Sequence, residues 1–313
     1  MQTSLQSSRI VVTGGNGFIG THLLRDLLSL GNSCDVLVPQ GSDTSCLEDL
    51  PPIRVTPFAE PEALGPAVAK LKPDVVFHLG ALVCRERTLA AFHNTLQWNL
   101  LSTLYLFEAL VQSEIRRIVY IGSGEEYGHQ QAPYREETVP DPVSPYAASK
   151  AAAACYGRMF YNCFGLPVVL LRPSVVYGPN QAPQFLIPEV ISALLQNQAV
   201  DTTEGFQTRD FLYVADLVSA VLQAAIVPGI EGEVFNIGSG EAVSVRTCIE
   251  HIELLTGTQG LVRYGARPYG KNEIDLYSVD IRHAKERLNW KPHTTLQEGL
   301  GLTIAAFAKN LRS

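Results

Sequence analysis

Thr13-Gly14-Gly15-Asn16-Gly17-Phe18-Ile19-Gly20 is the stretch on which the reading of this chain turns. The β-branched run before it, Arg9 to Thr13, reads as a short buried strand. After it Leu23, Leu24, Leu27 and Leu28 recur at helical spacing, so Phe18 to Leu30 reads as a helix that Gly31 stops. The glycines at 14, 17 and 20 therefore lie between a strand and a helix. Gly14 allows a tight turn, Gly17 lets a pyrophosphate approach the backbone, and Gly20 lets the helix pack closely on the strand. Asn16, Gly17, Phe18 and Ile19 present the helix N-terminus, whose unpaired N–H groups favour an anion. A dinucleotide is the expected ligand.

Outward from this loop, strand and helix signals alternate. Strands are expected at Cys34–Val38, Asp74–Leu79, Arg117–Ile121 and Pro167–Leu171, and helices at Pro61–Leu71, Thr88–Gln112 and Tyr146–Phe164. Such alternation implies a Rossmann-type α/β fold, a doubly wound parallel sheet covered on both faces. After Arg172 the connections lengthen and carry Pro173, Pro179, Pro183 and Pro188. Helical segments near 188–196, 216–226, 245–256, 281–288 and 296–309 alternate there with short strands such as Glu233–Ile237, which reads as a smaller interleaved α/β substrate region. The expected division is a dinucleotide domain over 1–172, rejoined by 208–233, and a substrate region over 173–207 and 234–313.

Composition narrows the class. The chain has 313 residues, 46% hydrophobic and 18% charged, enough apolar content for a sizeable core. Its net charge of -7 with no basic stripe argues against nucleic acid. Met1 to Ser8 is polar and no apolar run approaches the ~18 residues of a membrane span, so a cytoplasmic protein without a membrane partner is expected. The six cysteines lie far apart and read as reduced thiols. The seven histidines show no ligand spacing, so no metal is expected.

The second strand runs into Pro39-Gln40-Gly41-Ser42, where an Asp or Glu would usually grip the ribose of NAD. No carboxylate appears before Asp43. Ser42 and the backbone near Gly41 would instead accept a 2′-phosphate, with Gln40 a further cofactor contact. The cofactor is read as NAD(P), with NADP(H) favoured over NAD(H).

Tyr146 and Lys150 in Tyr-Ala-Ala-Ser-Lys stand one helical turn apart on one face. A lysine ammonium beside a phenol lowers its pKa, and such a phenol can exchange a proton with a hydroxyl while a hydride moves to or from nicotinamide. Ser123 follows the strand Arg117–Ile121, at the end where a parallel sheet presents its ligands, and would bond the same reacting oxygen. His78 reads as a packed residue near the cofactor. Cys84 falls in a loop expected to face substrate, and reads as an inert thiol. Glu125 and Glu126 read as solvated loop charges, with Glu125 close enough to Ser123 to face a sugar. Leu89, Phe92, Leu96, Leu100, Leu104 and Phe107 form an apolar stripe on the long helix.

With these residues in view, the chain resembles the extended short-chain dehydrogenases/reductases of the nucleotide-sugar epimerase/dehydratase type. The resemblance runs from about Arg9 to Ala305. It rests on the glycine loop, His78-Leu79-Gly80-Ala81, Asn99, Ser123 with Tyr127-Gly128, the Tyr146/Lys150 pair, Val176-Tyr177-Gly178-Pro179, Arg209-Asp210-Phe211 with Asp216, Phe235-Asn236-Ile237-Gly238 and Trp290-Lys291-Pro292, all in family order. It implies that Tyr146 is the acid/base, that Lys150 orients the nicotinamide ribose, and that Ser123 assists. It implies further cofactor contacts from Leu79, Gly80, Ala81, Asn99 and Pro173. Substrate contacts are implied for Cys84, Gly124, Glu125, Arg209 and Arg267, the two arginines at a diphosphate, and a homodimer through the long helix and the Tyr146 helix.

Three positions depart from the family pattern. Val175 replaces an asparagine that commonly contacts the nucleotide-sugar phosphates. Pro57-Phe58 lacks an aspartate that often contacts the adenine. Gly122-Ser123-Gly124-Glu125-Glu126-Tyr127-Gly128 is similar to the segment of GDP-4-keto-6-deoxymannose reductases, and Gly124 stands where dehydratases carry an acid. The expected function is hydride transfer at a ring C4 hydroxyl or keto group of a nucleotide-activated sugar, as a 4-epimerase or 4-ketoreductase. The alternatives are a reductase of a non-sugar ketone or aldehyde and a catalytically silent dinucleotide sensor.

Overall fold

The structure, a computed structural model, describes residues 5–51, 53–84 and 86–311; the first four residues of the polar start lie outside them. The chain order opens with β1 (Ile10–Thr13), α1 (Phe18–Ser29), β2 (Cys34–Pro39), β3 (Arg54–Phe58), α2 (Pro61–Lys70) and β4 (Val75–His78). Then come α3 (Leu89–Thr95), α4 (Ser102–Leu110), β5 (Arg117–Ile121), α5 (Pro145–Phe164), β6 (Val168–Pro173), β7 (Val175–Tyr177), α6 (Leu186–Leu195) and β8 (Val200–Asp201). The remainder is β9 (Thr208–Tyr213), α7 (Val214–Ile226), β10 (Val234–Ile237), β11 (Ala242–Ser244), α8 (Val245–Thr256), β12 (Val262–Arg263), β13 (Leu276–Tyr277), α9 (Arg282–Arg287) and α10 (Leu296–Asn310).

Every residue of β1, β4, β5, β6 and β10 is buried. Continuous burial is what strands covered on both faces require. They join β2 and β3 in a seven-stranded sheet ordered β10-β6-β5-β4-β1-β2-β3, with every pairing parallel. On one face Leu23, Leu24 and Leu27 of α1 pack with Leu217, Val218 and Val221 of α7. On the other, Leu64 and Val68 of α2, Leu106, Phe107 and Leu110 of α4, and Ala153 and Ala154 of α5 close the core. The strand order reverses between β1 and β4, and the crevice at that reversal is where doubly wound sheets take their ligands. This is the expected Rossmann-type α/β architecture.

A second, four-stranded sheet is organised around β9, which pairs with β7, β11 and β13. Ile187, Val190, Ile191 and Leu194 of α6 pack there with Ile249 and Ile252 of α8 and Leu300 and Ile304 of α10.

Several expectations need amending. β10 lies in the large sheet beside β6, although 234–313 was assigned to the substrate region. Conversely β9 pairs within the second sheet, while α7 of 208–233, with Leu212 and Ile230, packs in the core against the large one. β3 was not foreseen, because Arg54-Val-Thr-Pro-Phe58 is an edge strand with a proline and three exposed residues, and it carries no buried run. The long helix is interrupted by a π-helical turn over Leu96–Leu101, and its apolar stripe is not one core face, since Phe107 is fully buried whereas Leu89 and Phe92 are exposed.

The C-terminal segment is pinned to α7 by one carboxylate. Asp216 is buried and accepts from the backbone N–H groups of His293 and Thr294, both at 3.0 Å. Its own carbonyl accepts from the Trp290 indole at 3.2 Å. Asp216→Ala leaves the two amides without that acceptor, so the expected loss is about 1–3 kcal/mol for unmet buried hydrogen-bonding groups. Urea unfolding should show it as a lower midpoint at unchanged slope.

Candidate active site

Steric constraint shapes the glycine loop. Gly14 has φ +69°, and a Cβ there would stand 2.6 Å from the Gly80 Cα, so the β1 and β4 turns touch backbone to backbone. A Cβ on Gly20 would overlap the Gly14 carbonyl, which seats α1 against the loop. Gly17 is the exposed N-cap of α1, with no side chain capping it. The Phe18 and Ile19 side chains pack away into two different cores, which leaves their backbone to face a ligand. Asn16 donates to the Asp43 carbonyl at 3.0 Å and fixes the loop after β2.

His78 locks this corner. One ring nitrogen lies 2.6 Å from the Thr13 hydroxyl and the other 2.8 Å from that of Thr103, and the Gly80 N–H donates to Thr13 at 3.2 Å. Burial, with the Lys150 charge nearby, pushes the His78 imidazole down to about 3, so it stays neutral and acts as a strut.

A cavity of about 520 Å³ opens along this seam, lined by Gly14, Asn16, Gly17, Ser42, Leu79, Gly80 and Ala81 and walled beyond by Phe58 and Trp98. Its size and its backbone-rich cradle fit a dinucleotide. The lining contains no carboxylate among the described residues. Ser42 lies in it, whereas Gln40 is exposed and gives its N–H to the Phe58 carbonyl. Asn99 is placed differently from its expected role. It is buried in the π turn, where it accepts from Leu82 N–H at 2.7 Å and donates to the Leu82 carbonyl and the Ser149 hydroxyl, both at 3.1 Å. It therefore braces the loop after β4 against α5.

Ser123, Tyr146 and Lys150 come together beyond the C-terminal ends of β5 and β6. Ser144 caps α5 by accepting from Ala147 N–H at 3.1 Å, and Pro145 sets its first turn, which fixes the Tyr146 backbone. The Ser123 hydroxyl is within hydrogen-bonding reach of the Tyr146 phenol. Lys150 is buried; its ammonium donates to the Ile121 carbonyl at 2.6 Å and stands 4.9 Å from the Tyr120 ring centre. Burial lowers Lys150 to about 8, against a raising influence of Glu126. The phenol departs from expectation: desolvation and the Glu125 charge raise Tyr146 above its ordinary value, and the Ser123 hydrogen bond only partly offsets them.

Glu126 overturns its reading as a solvated charge. It is fully buried, accepts from Ser123 N–H at 2.9 Å, and pairs with Arg172 at 2.7 Å. Arg172 also donates to the Tyr127 hydroxyl at 3.0 Å. The sequence carried a signal for this, since Ser123-x-x-Glu126 is a capping box, and the turn Gly124–Tyr127 uses it as one. Tyr277 went unnoticed for a different reason. It is distant in sequence, yet a Cβ on Gly124 would overlap its hydroxyl, so the Tyr277 phenol fills the place beside Ser123 that a side chain at 124 would need. Glu125 is exposed and its charge acts on Tyr146, whereas Cys84 is half-buried and does not line the cavity. Pro173 ends β6, its carbonyl facing Gly124. Both implied phosphate contacts are already ion-paired, Arg209 with Glu273 and Arg267 with Glu189. No group of His, Cys, Asp and Glu among the described residues is arranged to hold a metal, and no described helix is long and apolar enough to cross a membrane.

Gly17→Val tests the cradle. The branched side chain projects from the exposed N-cap and screens the N–H groups behind it. Calorimetric titration with NAD+ should show binding lost while circular dichroism keeps the native signal; unchanged affinity would move the phosphate site elsewhere.

This geometry has relatives. Residues 10–238 match the model of the NAD dependent epimerase/dehydratase family. The UDP-glucose 4-epimerase of Mycolicibacterium smegmatis is 31% identical over 96% of this chain and 98% of its own. The dTDP-D-glucose 4,6-dehydratase of Mus musculus is 30% identical over 98% and 90%. The UDP-glucose 4-epimerase of Thermotoga maritima, solved with UDP-glucose, superposes with a TM-score of 0.88 at 29% identity, over 97% of this chain and 99% of that one. MoeE5 in complex with UDP-glucuronic acid and NAD superposes with a TM-score of 0.86 at 31% identity, over 96% and 99%. Fold, glycine-loop cavity and sequence agree, and the chain belongs to the NAD dependent epimerase/dehydratase family.

Proposed function

We propose that this chain transfers hydride at the C4 position of a nucleotide-activated sugar, as a 4-epimerase or a 4-ketoreductase. The observation that carries the reading is the convergence of Ser123, Tyr146 and Lys150, with the Lys150 charge close enough to act on His78 in the wall of the glycine-loop cavity. Nicotinamide, when bound, supplies or accepts the hydride. Tyr146 gives or takes the proton at the C4 oxygen, and Ser123 bonds that same oxygen and the phenol. Lys150, anchored on the Ile121 carbonyl one helical turn behind Tyr146, adds a positive charge that favours the phenolate as it forms. Because the phenol is raised at rest, it keeps its proton until negative charge develops on the reacting oxygen and takes it. Relatives named for epimerisation and solved with UDP-sugars support the substrate class.

Dehydration does not fit this site. Beyond oxidation at C4, it needs a base for the C5 proton and an acid for the departing C6 hydroxyl. Glu125 offers one carboxyl group. Position 124 cannot offer the other, because Gly124 has no side chain and Tyr277 occupies the space.

A reductase of a non-sugar ketone is the second reading. Val175 packs on apolar neighbours and offers no polar contact to a diphosphate, and both candidate arginines are engaged by carboxylates. A thermal-shift panel of UDP, GDP, CDP and dTDP decides it: no stabilisation by any of them would favour this reading. The exposed Leu89, Phe92 and Tyr156 of α3 and α5 fit a homodimer.

Three outcomes test the proposal. Tyr146→Phe should lower turnover by ~10²–10⁴, as loss of a general acid–base does, with cofactor affinity kept. With no carboxylate lining the ribose end, NADP(H) should bind at least as tightly as NAD(H); a strong preference for NAD(H) in measured dissociation constants would refute this. Incubation with nucleotide-linked hexoses and NAD(P)+ should give C4 epimers, or reduction of supplied 4-keto sugars. Mass-spectrometric detection of 4-keto-6-deoxy products would overturn the exclusion of dehydration.

A further inference from the structure

The buried carboxylate of Glu126 sits behind the site without touching the cavity, and both its oxygens are committed. One accepts from Ser123 N–H at 2.9 Å, the other from the Arg172 guanidinium at 2.7 Å. A Cβ on Gly122 would overlap the oxygen that caps Ser123, so the backbone before Ser123 is stripped to let this carboxylate in. Arg172 is held in turn. Its guanidinium stands 4.8 Å from the Tyr127 ring centre and donates to the Tyr127 hydroxyl, which donates to Asn236 at 2.7 Å. Asn236 donates to the Tyr134 carbonyl and takes Glu136 as acceptor for its N–H. The network thus joins the turn after β5, β6, β10 and the loop before α5. A buried ion pair is weak as a source of stability but fixes geometry and charge where it lies.

We propose that Glu126 is a positioning residue of this site: clamped by Arg172, it holds the Ser123 turn so that the Ser123 hydroxyl stays within reach of the Tyr146 phenol. The inference rests on the reading that Ser123, Tyr146 and Lys150 carry the chemistry.

The experiment is the kinetics of the full-length protein on UDP-glucose with NAD+. Glu126→Gln keeps an acceptor for Ser123 N–H but removes the charged partner of Arg172, and should lower kcat by up to about 10²-fold with KM little changed, as loosening of a positioned group does. Glu126→Gln/Arg172→Gln avoids stranding a buried guanidinium and should show the same fall. Because Glu126 acts through Ser123, Ser123→Ala/Glu126→Gln should be no slower than Ser123→Ala. An unchanged kcat in Glu126→Gln and in the double variant with Arg172, or losses that simply add to that of Ser123→Ala, overturns the proposal. A Tyr146→Phe variant that stays fully active would instead overturn the catalytic reading beneath it.

Discussion

The fold and the candidate site both depend on one close approach, the backbone contact between Gly14 and Gly80 at the reversal of strand order. A side chain at Gly14 would run into the Gly80 backbone and spread β1 from β4, and the seam between them is the floor of the cavity. Gly20 adds a second contact by seating α1 on the same loop, which aims its N-terminus at the ligand. Thr13 and His78 then bolt the two strand ends to α4 with uncharged hydrogen bonds. Charge is thereby kept out of this corner, and the helix terminus is the local source of positive potential for a phosphate.

On the other side of the site the logic is inverted. Charges are buried there, and each is held by geometry. Lys150 leans on a carbonyl, Glu126 on an amide and a guanidinium, Arg172 on a phenol. The low dielectric that makes such groups costly also makes their mutual influence strong. Burial in that setting raises the Tyr146 phenol above its ordinary value.

The elements read most directly from the sequence were those with a simple steric or periodic cause. The glycine loop, the buried strands at 10–13, 75–78 and 117–121, and the helix 245–256 carry uninterrupted apolar runs or clear helical spacing. β3 escaped because an edge strand need not be apolar. Glu126 was misread because charge alone suggests solvent; its partner Arg172 lies on another strand, and only the Ser-x-x-Glu spacing hinted at burial. Tyr277 was beyond local reasoning altogether. Its relation to Gly124 is made by tertiary packing across much of the chain, which no periodicity encodes.

The placement of β10 reaches past the site to how the chain matures. β6 ends at Pro173, but the neighbour that covers its free edge begins only at Val234, with the second sheet's β7 and β9 emitted in between. As the polypeptide leaves the ribosome, the six strands already made form a sheet with a long, apolar, unpaired border. Such borders invite pairing with other chains. Closure must wait for a distant segment to return, which lengthens the average loop that folding has to close and slows the search. Synthesis that stalls between these two strands would therefore release a nearly complete dinucleotide half that is prone to stick, and chaperone demand should peak over that window of translation.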